Sequence, residues 1–477
     1  MIRLAWTFLR CSGWRRAALL AGTTALATAL VLVALTMLLL PSVPVEALFS
    51  LVAEPGLRWG TAFATGLLVL PLLLMLNQVV RLGTATRERR LAALRLAGAT
   101  PAEVRQIGAI EVGLPCTVGA AAGPLVFALL RTLFGGHRVI TGEGMHTVDL
   151  TVMPPSNIVT YGSYASLQLI PTSVTPAWWA ILAVVALVAA AGVVTGSLAS
   201  RHLIASPLGV SRRVRRPAPR PWGLLLVAAG LGAMAFVMSG AFGLGVARPA
   251  AAVLMAGILL VVLGFLSLGP WVAFRFGQRA VRRTSDPATL IAAGHLVSDP
   301  RPAGRAAAAV GAIGIGSGVA AVMEAGLFFY SGFINPFFVI SFALIGAALV
   351  LVLLVTASTL AVHAAESLVD RRRVLAALVA AGTPVSVLRD ALRREAMLTA
   401  MPLSLGGLLI GAVVAGAVGL GSSNSTEGAT ANLAGLLFVC GQVALTIGLT
   451  WAAIHLAIGV VAPRLLKATA PANLRTE

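Results

Sequence analysis

Apolar stretches long enough to cross a lipid bilayer constrain this chain more than any other feature. A bilayer core of about 30 Å requires roughly 20 consecutive apolar residues per helix. The chain has 477 residues, of which 58% are hydrophobic and only 11% are charged, too few polar groups to cover a soluble protein of this length. The sequence therefore predicts an all-α membrane protein with about ten transmembrane helices. The predicted spans are 17–40, 59–82, 109–134, 177–200, 222–242, 249–274, 305–328, 337–363, 396–420 and 433–461.

The basic residues predict the orientation of the chain, because Lys and Arg near span ends are retained on the cytoplasmic side. With ten spans, 31 of the 35 basic residues fall on the side that holds both termini. Both termini are therefore predicted to be cytoplasmic, with lipid headgroups as partners of the basic loops. This placement explains the net charge of +19, and no motif supports a nucleic-acid partner. The four exceptions are Arg58, Arg131, Arg138 and Arg248.

Two loops on the basic side repeat one motif. The first reads R-E-R-R-L-A-A-L-R-L-A-G-A-T-P from Arg87, and the second reads R-R-R-V-L-A-A-L-V-A-A-G-T-P from Arg371. The L-A-A-L segment, the glycine and a later glutamate (Glu111 and Glu395) recur at an offset of 284 residues. An even number of spans separates the copies, so we expect two parallel four-helix units related by a pseudo-twofold axis along the membrane normal. The predicted domains are 1–205 (spans 1–4), 206–280 (a linker with spans 5 and 6) and 281–477 (spans 7–10).

The local chemistry of each loop predicts a helix, a sharp turn and a short second helix beneath the membrane. Gly98 can end the first helix in a left-handed cap, and Thr100 can cap the next one with Pro101 at its first position. Glu103 would complete a capping box. The second copy keeps the glycine as Gly382, followed by Thr383 and Pro384, but has Ser386 where the box requires Glu.

These two motifs, each followed by a span-initial glutamate, resemble the FtsX-like permease domain, and the whole chain resembles its ten-span, two-unit branch, which includes bacitracin-resistance permeases. The resemblance implies that each loop carries a coupling helix that docks on an ABC-type ATPase, here Thr100–Gly108 and Thr383–Leu392. It also implies interfacial elbow helices at 2–14 and 287–300. The implied docking residues are Thr100, Pro101, Glu103, Val104, Thr383, Pro384, Ser386 and Val387.

The same resemblance implies a bacterial plasma membrane protein, present as one copy that works with a dimer of ATPase subunits. ATP and Mg would be bound by that partner, with no cofactor on this chain. The sequence agrees, because the only lysine is Lys467, preceded by Leu466, and a phosphate-binding loop needs G-x-x-x-x-G-K. One departure is large: bacitracin-type relatives insert an extracellular domain between spans 7 and 8, where only about 329–336 remains. The largest outer loop is instead 135–176.

Few polar residues stand out within the spans. Glu324 lies in an apolar run near the outer end of span 7, so it is a candidate for the substrate path or else a headgroup contact. Glu111 and Glu395 are expected to pair with loop arginines or to cap helices, and His363 and His455 to be structural. No metal site is predicted, because the three cysteines are far apart. Three pairs of glycines predict close helix contacts: Gly119 with Gly123, Gly314 with Gly318, and Gly407 with Gly411.

The leading hypothesis for function is an ABC transporter permease that exports an amphipathic molecule, or extracts it from the outer leaflet. Antimicrobial peptides, lipids and drugs are the substrate classes considered, which connects the chain to antibiotic resistance. The alternative is mechanotransmission, in which ATP hydrolysis activates an extracytoplasmic partner without transport. An ion-coupled transporter would need more intramembrane acids than Glu324, and an intramembrane enzyme would need a catalytic pair that the sequence does not offer.

Overall fold

The chain folds into long helices joined by short turns, with one pair of strands, as seen in a computed structural model. The structure describes residues 14–40, 49–81, 93, 96, 98–136, 139–147, 160–166, 168–204, 218–239, 247–330, 336–422 and 433–470. Its first seven segments are α1 (Trp14–Leu38), α2 (Ser50–Ala53), α3 (Pro55–Leu67), α4 (Val69–Arg81), α5 (Pro101–Phe134), β1 (Val139–Thr147) and β2 (Thr160–Ser166). The rest are α6 (Trp178–Ile204), α7 (Trp222–Met238), α8 (Ala247–Arg283), α9 (Pro287–Ser298), α10 (Pro300–Ala325), α11 (Pro336–Asp370), α12 (Arg372–Ala380), α13 (Val385–Ser422) and α14 (Leu433–Ala468).

Within the described residues, nine helices are long and apolar enough to cross a membrane. The remaining predicted span, span 5 at 222–242, corresponds to α7, an apolar helix of 17 residues that packs along α8. At 1.5 Å per residue it is about 25 Å long, which is at the lower limit for a transmembrane helix. The prediction of an all-α membrane protein with about ten helices is confirmed.

Span 2 is broken into α3 and α4 at Leu68. Pro71 has no amide hydrogen, so the carbonyl of Leu67 loses its usual partner four residues ahead. At the break, the amide of Leu68 donates to the carbonyl of Thr65, three residues earlier, over 3.2 Å, as in a tighter helical turn. The sequence predicted one uninterrupted span here, and the proline explains the difference.

Two groups of helices meet through α4 and α11, which are spans 2 and 8. Leu72 and Met75 of α4 share a buried cluster with Val355 of α11. On one side of this contact, the ring of Phe49 stacks on that of Phe337 at a centroid distance of 5.7 Å. Spans 2 and 8 hold matched positions in the predicted repeat. Contact between matched helices is what a pseudo-twofold arrangement of two units requires.

The predicted glycine pairs lie at the closest helix contacts. A methyl group built at Gly407 would lie 2.3 Å from the carbonyl oxygen of Gly311, and one at Gly314 would lie 2.4 Å from that of Ser404. A methyl group at Gly119 would collide in the same way with the backbone of Ala21 on α1. Only glycine allows backbones to approach this closely, so the packing role predicted for these motifs is confirmed.

The linker helices α7 and α8 pack as a hairpin against the second group of helices. Gly269 of α8 meets Gly304 of α10 backbone to backbone, and the ring of Phe265 lies against Gly311. Helix α8 continues to Arg283, slightly beyond the predicted boundary at 280. The division into 1–205, 206–280 and 281–477 itself stays a prediction.

The loop 135–176, predicted to be an outer loop, contains the one β element in the described part of the chain. Strands β1 and β2 pair antiparallel, with Val139 opposite Ser166 and an irregularity between Thr141 and Met145. The sequence left open whether this loop forms a small cap or an irregular connection, and the structure has a hairpin. We call the end of the bundle that carries this hairpin the hairpin side, and the opposite end, where the repeated loops turn, the loop side.

Candidate functional site

The first repeated loop turns at Gly98 and starts a helix at Thr100. Gly98 has φ of 97°, a left-handed conformation that glycine adopts without strain. The Thr100 hydroxyl accepts a hydrogen bond from the amide of Glu103 at 3.3 Å. In return, the Glu103 carboxylate accepts one from the amide of Thr100 at 2.8 Å. The predicted capping box is therefore confirmed.

The second loop turns in the same way at Gly382, whose φ is 93°. Its amide donates to the carbonyl of Val379, and the amide of Thr383 donates to that of Leu378, each over 2.9 Å. This pair of bonds satisfies the last carbonyls of α12 and is the Schellman arrangement. Pro384 follows the turn, and α13 begins one residue later. Gly98 and Gly382 are the positive-φ residues of the described chain.

The short second helices predicted for these loops do not exist as separate elements. The segment from Pro101 is the first part of the continuous α5, and the segment from Val385 is the first part of α13. Neither helix is interrupted between its turn and the membrane-crossing part, so there is no second turn that would separate a short helix from the span. The predicted docking segments are thus the loop-side ends of two membrane-crossing helices. In the second loop, the helices that precede the turn are α11 and α12, which are separated by one turn residue, Arg371. In the first loop, most of the corresponding segment 82–97 lies outside the described residues.

The predicted docking residues differ in what they can contact. Thr100, Pro384 and Ser386 are exposed. Val104 is fully buried, and so is Leu388 in the second loop. Val104 therefore anchors its segment to the bundle, and its assignment as a docking residue stays a prediction. The side chain of Pro101 lies outside the described set, and Glu103, Thr383 and Val387 are partly exposed.

Above the first turn, Glu111 of α5 is held by a buried arginine. Arg16 of α1 donates to the Glu111 carboxylate over 2.7 Å. The same guanidinium donates to the carbonyls of Val79 and Val80 at the end of α4, over 3.2 and 3.1 Å. One side chain thus joins spans 1, 2 and 3 on the loop side. Pairing with an arginine was predicted, but Arg16 precedes span 1 and is not in the adjacent loop.

Above the second turn, the matched Glu395 of α13 lies among three cationic or titratable side chains. His295 Nδ1 lies 2.9 Å from one carboxylate oxygen, and Arg371 donates to the other over 3.5 Å. His363 Nε2 is 3.9 Å from Glu395, which is beyond hydrogen-bond range. Burial lowers the pKa of Arg371, and the nearby charge of Glu395 opposes this effect. The predicted pairing with a loop arginine is confirmed by Arg371.

A second ion pair connects α13 to the start of α9 through Arg394, the residue before Glu395. The Asp286 carboxylate caps α9 by accepting from the amide of Thr289 at 2.8 Å, and it also accepts from Arg394 at 2.6 Å. These hydrogen bonds, above all the one from the Thr289 amide, lower the pKa of Asp286. The helix predicted at 287–300 is confirmed as Pro287–Ser298. Its predicted counterpart at 2–14 lies almost entirely outside the described residues.

Toward the hairpin side, Glu324 of α10 pairs with Gln442 of α14. The Gln442 amide nitrogen donates to the carboxylate over 2.8 Å. Immediately after Glu324, residues Gly326–Tyr330 form a π-helical turn, a distortion found often at functional sites. This hydrogen bond joins α10 and α14 within segments that are otherwise largely apolar. His455, farther along α14, stacks on Trp451 at the helix surface, as expected for a structural residue.

The fold and its clusters define a class: a polytopic α-helical membrane protein whose long helices start at repeated, capped turns. The family model for the FtsX-like permease C-terminal domain matches residues 61–208, from span 2 through span 4. This segment is similar to an FtsX-like permease domain, and the similarity supports a membrane permease component of an ABC-type system. Members of this family generally work with ABC ATPases and are generally not catalytic themselves. No curated protein matches the chain.

Proposed function

We propose that this chain is the transmembrane subunit of an ATP-driven exporter, with the ATPase supplied as a separate dimer. Its substrate would be an amphipathic molecule (an antimicrobial peptide, a lipid or a drug) that is exported or extracted from the outer leaflet. In this proposal the chain lies in a bacterial plasma membrane with both termini in the cytoplasm, and one copy works per complex.

The observation that carries this proposal is the pair of left-handed turns at Gly98 and Gly382. Each turn opens directly into a membrane-crossing helix, α5 or α13. A force applied at either turn would therefore move a whole span rather than a separate short helix. Rigid movement of helices is one established way to pass a nucleotide-driven stroke to distant elements.

The buried charge clusters support a mechanical role for the turns. Glu111 lies about seven residues beyond the anchoring Val104, and Arg16 ties it to spans 1 and 2. In the second unit Glu395 ties α13 to α9 and to Arg371. A stroke entering through either turn would thus be shared among the neighbouring helices of its unit. ATP and Mg would remain on the partner.

The substrate path is proposed to pass Glu324 on the hairpin side. Glu324 and Gln442 form a polar contact between α10 and α14, and the π turn next to it leaves room for rearrangement. A carboxylate within an apolar helix is costly, and such groups commonly mark substrate pathways.

The docking assignment is tested by replacing Thr100–Glu103 and Thr383–Ser386 with glycine runs, together and separately. We expect loss of a copurifying ATP-binding-cassette ATPase, and loss of ATPase stimulation, while the chain remains inserted. The matched control replaces residues 172–175 on the hairpin side in the same way; Thr172, Ser173 and Thr175 are exposed, and Val174 is partly buried. Full ATPase coupling in the double replacement would overturn the assignment.

Mechanotransmission remains a second candidate because the hairpin β1–β2 provides a folded surface on the side where an extracytoplasmic partner would bind. A two-stranded sheet has unpaired backbone groups along both outer edges, which can accept a strand from a partner. Deleting 139–166 separates the two functions. Transport that continues without the hairpin supports the exporter, whereas loss of a partner's activation with no transported substrate supports mechanotransmission.

A further inference from the structure

A small cavity lies next to Glu395, between α10, α11, α13 and α14 on the loop side. It offers about 20 Å³ to the centre of a water molecule, which is room for one. Its polar lining is Glu395 and Thr399 from α13, and His363 and Ser367 from α11. Four polar side chains around one water-sized space meet the usual requirement of two to four partners for a buried water.

His363 is the side chain of this cavity with unused hydrogen-bonding capacity. Among the described residues, neither of its ring nitrogens has a hydrogen-bond partner, although both are buried. Its Nε2 atom lies 3.9 Å from Glu395 Oε1, a separation that one bridging water or a small shift of the ring would close. A buried imidazole with two unsatisfied nitrogens is costly unless it gains such a partner.

Charged and titratable side chains lie around His363. Glu395 faces it from α13, and Asp370 on its own helix interacts with it electrostatically. Arg371 pairs with Glu395 and also interacts electrostatically with Asp370 and Asp299. His295 faces the same carboxylate from α9. The residues that line the cavity from α10 and α14 are Ala303 and Ile458, which carry no charge.

The first unit has no such group at the matched position. Val79 stands 284 residues before His363, and its carbonyl accepts from Arg16, whose charge is permanent. Glu111 is therefore held by a fixed cation, whereas Glu395 is faced by two imidazoles, which ordinarily change charge near neutral pH. Both units thus have a glutamate at the matched position, but its partner is an arginine in the first unit and includes histidine in the second.

We propose that this cavity is a hydrated proton-binding site, in which His363 takes up a proton and then joins His295 and Arg371 in holding Glu395. Proton uptake by His363 tightens the tie of α13 to α11, and proton release loosens it. The cluster around Glu395 is thus sensitive to pH, whereas among the described residues Glu111 is paired with Arg16, whose charge is permanent. The proposal goes beyond the expectation that His363 is structural. The site operates whether or not an ATPase is the partner.

The test measures hydrogen–deuterium exchange of the loop-side end of α11 in the full chain, reconstituted in nanodiscs, at about pH 8 and about pH 5.5, with correction for intrinsic exchange. We expect exchange at residues 364–370 to be roughly tenfold slower at the lower pH, the size of one added charge-assisted hydrogen bond. In His363→Gln this difference should vanish. It should persist in His455→Gln, because His455 of α14 does not line the cavity and contacts Trp451 instead.

A second variant and a second measurement keep the proposal testable if His363→Gln is unstable. His363→Val installs the residue of the matched first-unit position and should also abolish the pH difference. In the wild-type chain, the ring nitrogens of His363, observed by NMR with labelled histidine, should change from the neutral to the charged pattern over the same interval. Unchanged pH dependence in either variant, or a ring that stays neutral throughout, would overturn the proposal.

Discussion

Arg16 donates a 2.7 Å hydrogen bond to Glu111 across 95 positions of the sequence, and both side chains are more than nine-tenths buried. Because the guanidinium also donates to two carbonyls of α4, it holds three spans of the first unit together. A buried ion pair adds little stability over an apolar replacement, but breaking it leaves an uncompensated charge.

We therefore expect Arg16→Met to destabilise the chain by roughly 3–5 kcal/mol, and the double variant Arg16→Met with Glu111→Gln to recover much of that loss. Reversible unfolding in mixed micelles measures both. Arg372→Met is the control, since Arg372 is exposed. Equal destabilisation in the single and double variants would show that the pair is not coupled.

The left-handed turn at Gly382 should resist substitution. Gly382→Ala forces a side chain into a conformation that costs about 1–2 kcal/mol, whereas Gly382→Asn should be milder, because asparagine tolerates this region better. The comparison is Gly346→Ala in α11, where a methyl group meets open space. The measurement is thermal unfolding of the full chain in detergent. Equal stability of the Gly382→Ala and Gly346→Ala variants would contradict the assigned backbone conformation.

Close packing of α10 on α13 gives a further prediction. A methyl group at Gly411 would lie 2.2 Å from the carbonyl oxygen of Ile315, so Gly411→Ala must push the helices apart, at about 1–3 kcal/mol. Gly416 lies on the same helix with nothing within 4 Å, and Gly416→Ala should be nearly neutral. Unfolding of the two variants in parallel decides the point, and no difference between them would refute this contact.

Asp286 gives the α9 cap a pH dependence. Its pKa in the folded chain is lowered, chiefly by the Thr289 amide. Stability from this carboxylate is therefore present above the unfolded pKa of about 3.9 and is lost as the pH falls through the lower folded value. Asp286→Asn should flatten the acid limb of a plot of melting temperature against pH. Asp390→Asn, on the exposed face of α13, serves as the control, and an unchanged acid limb in Asp286→Asn would count against the cap.

Much of this fold could be predicted from local sequence signals. Apolar length predicted the spans, and the repeated Gly and Thr-Pro predicted both turns, because each depends on a few neighbouring residues. The capping box of Thr100 and Glu103 was likewise confirmed. The glycine pairs indicated which helix faces meet, since backbones cannot approach closely past a larger side chain.

Other features depend on partners that are distant in sequence. Glu111 and Glu395 occupy matched positions, but one is held by Arg16 and the other by His295 and Arg371, and spacing alone does not select these partners. The break at Leu68 had a local signal in Pro71, which the apolar run obscured. The continuity of α5 and α13 was not predicted, because the family resemblance implied separate coupling helices that end near Gly108 and Leu392.

The central claim is that energy from a separate ATPase enters through the turns at Gly98 and Gly382. Its most direct test is to purify the tagged full chain from its native membrane, identify the copurifying proteins and measure activity with and without ATP. We expect one chain with two copies of an ATP-binding-cassette ATPase, and activity that requires ATP hydrolysis. A chain that purifies without such an ATPase, and stays active when ATP is absent, would contradict the claim.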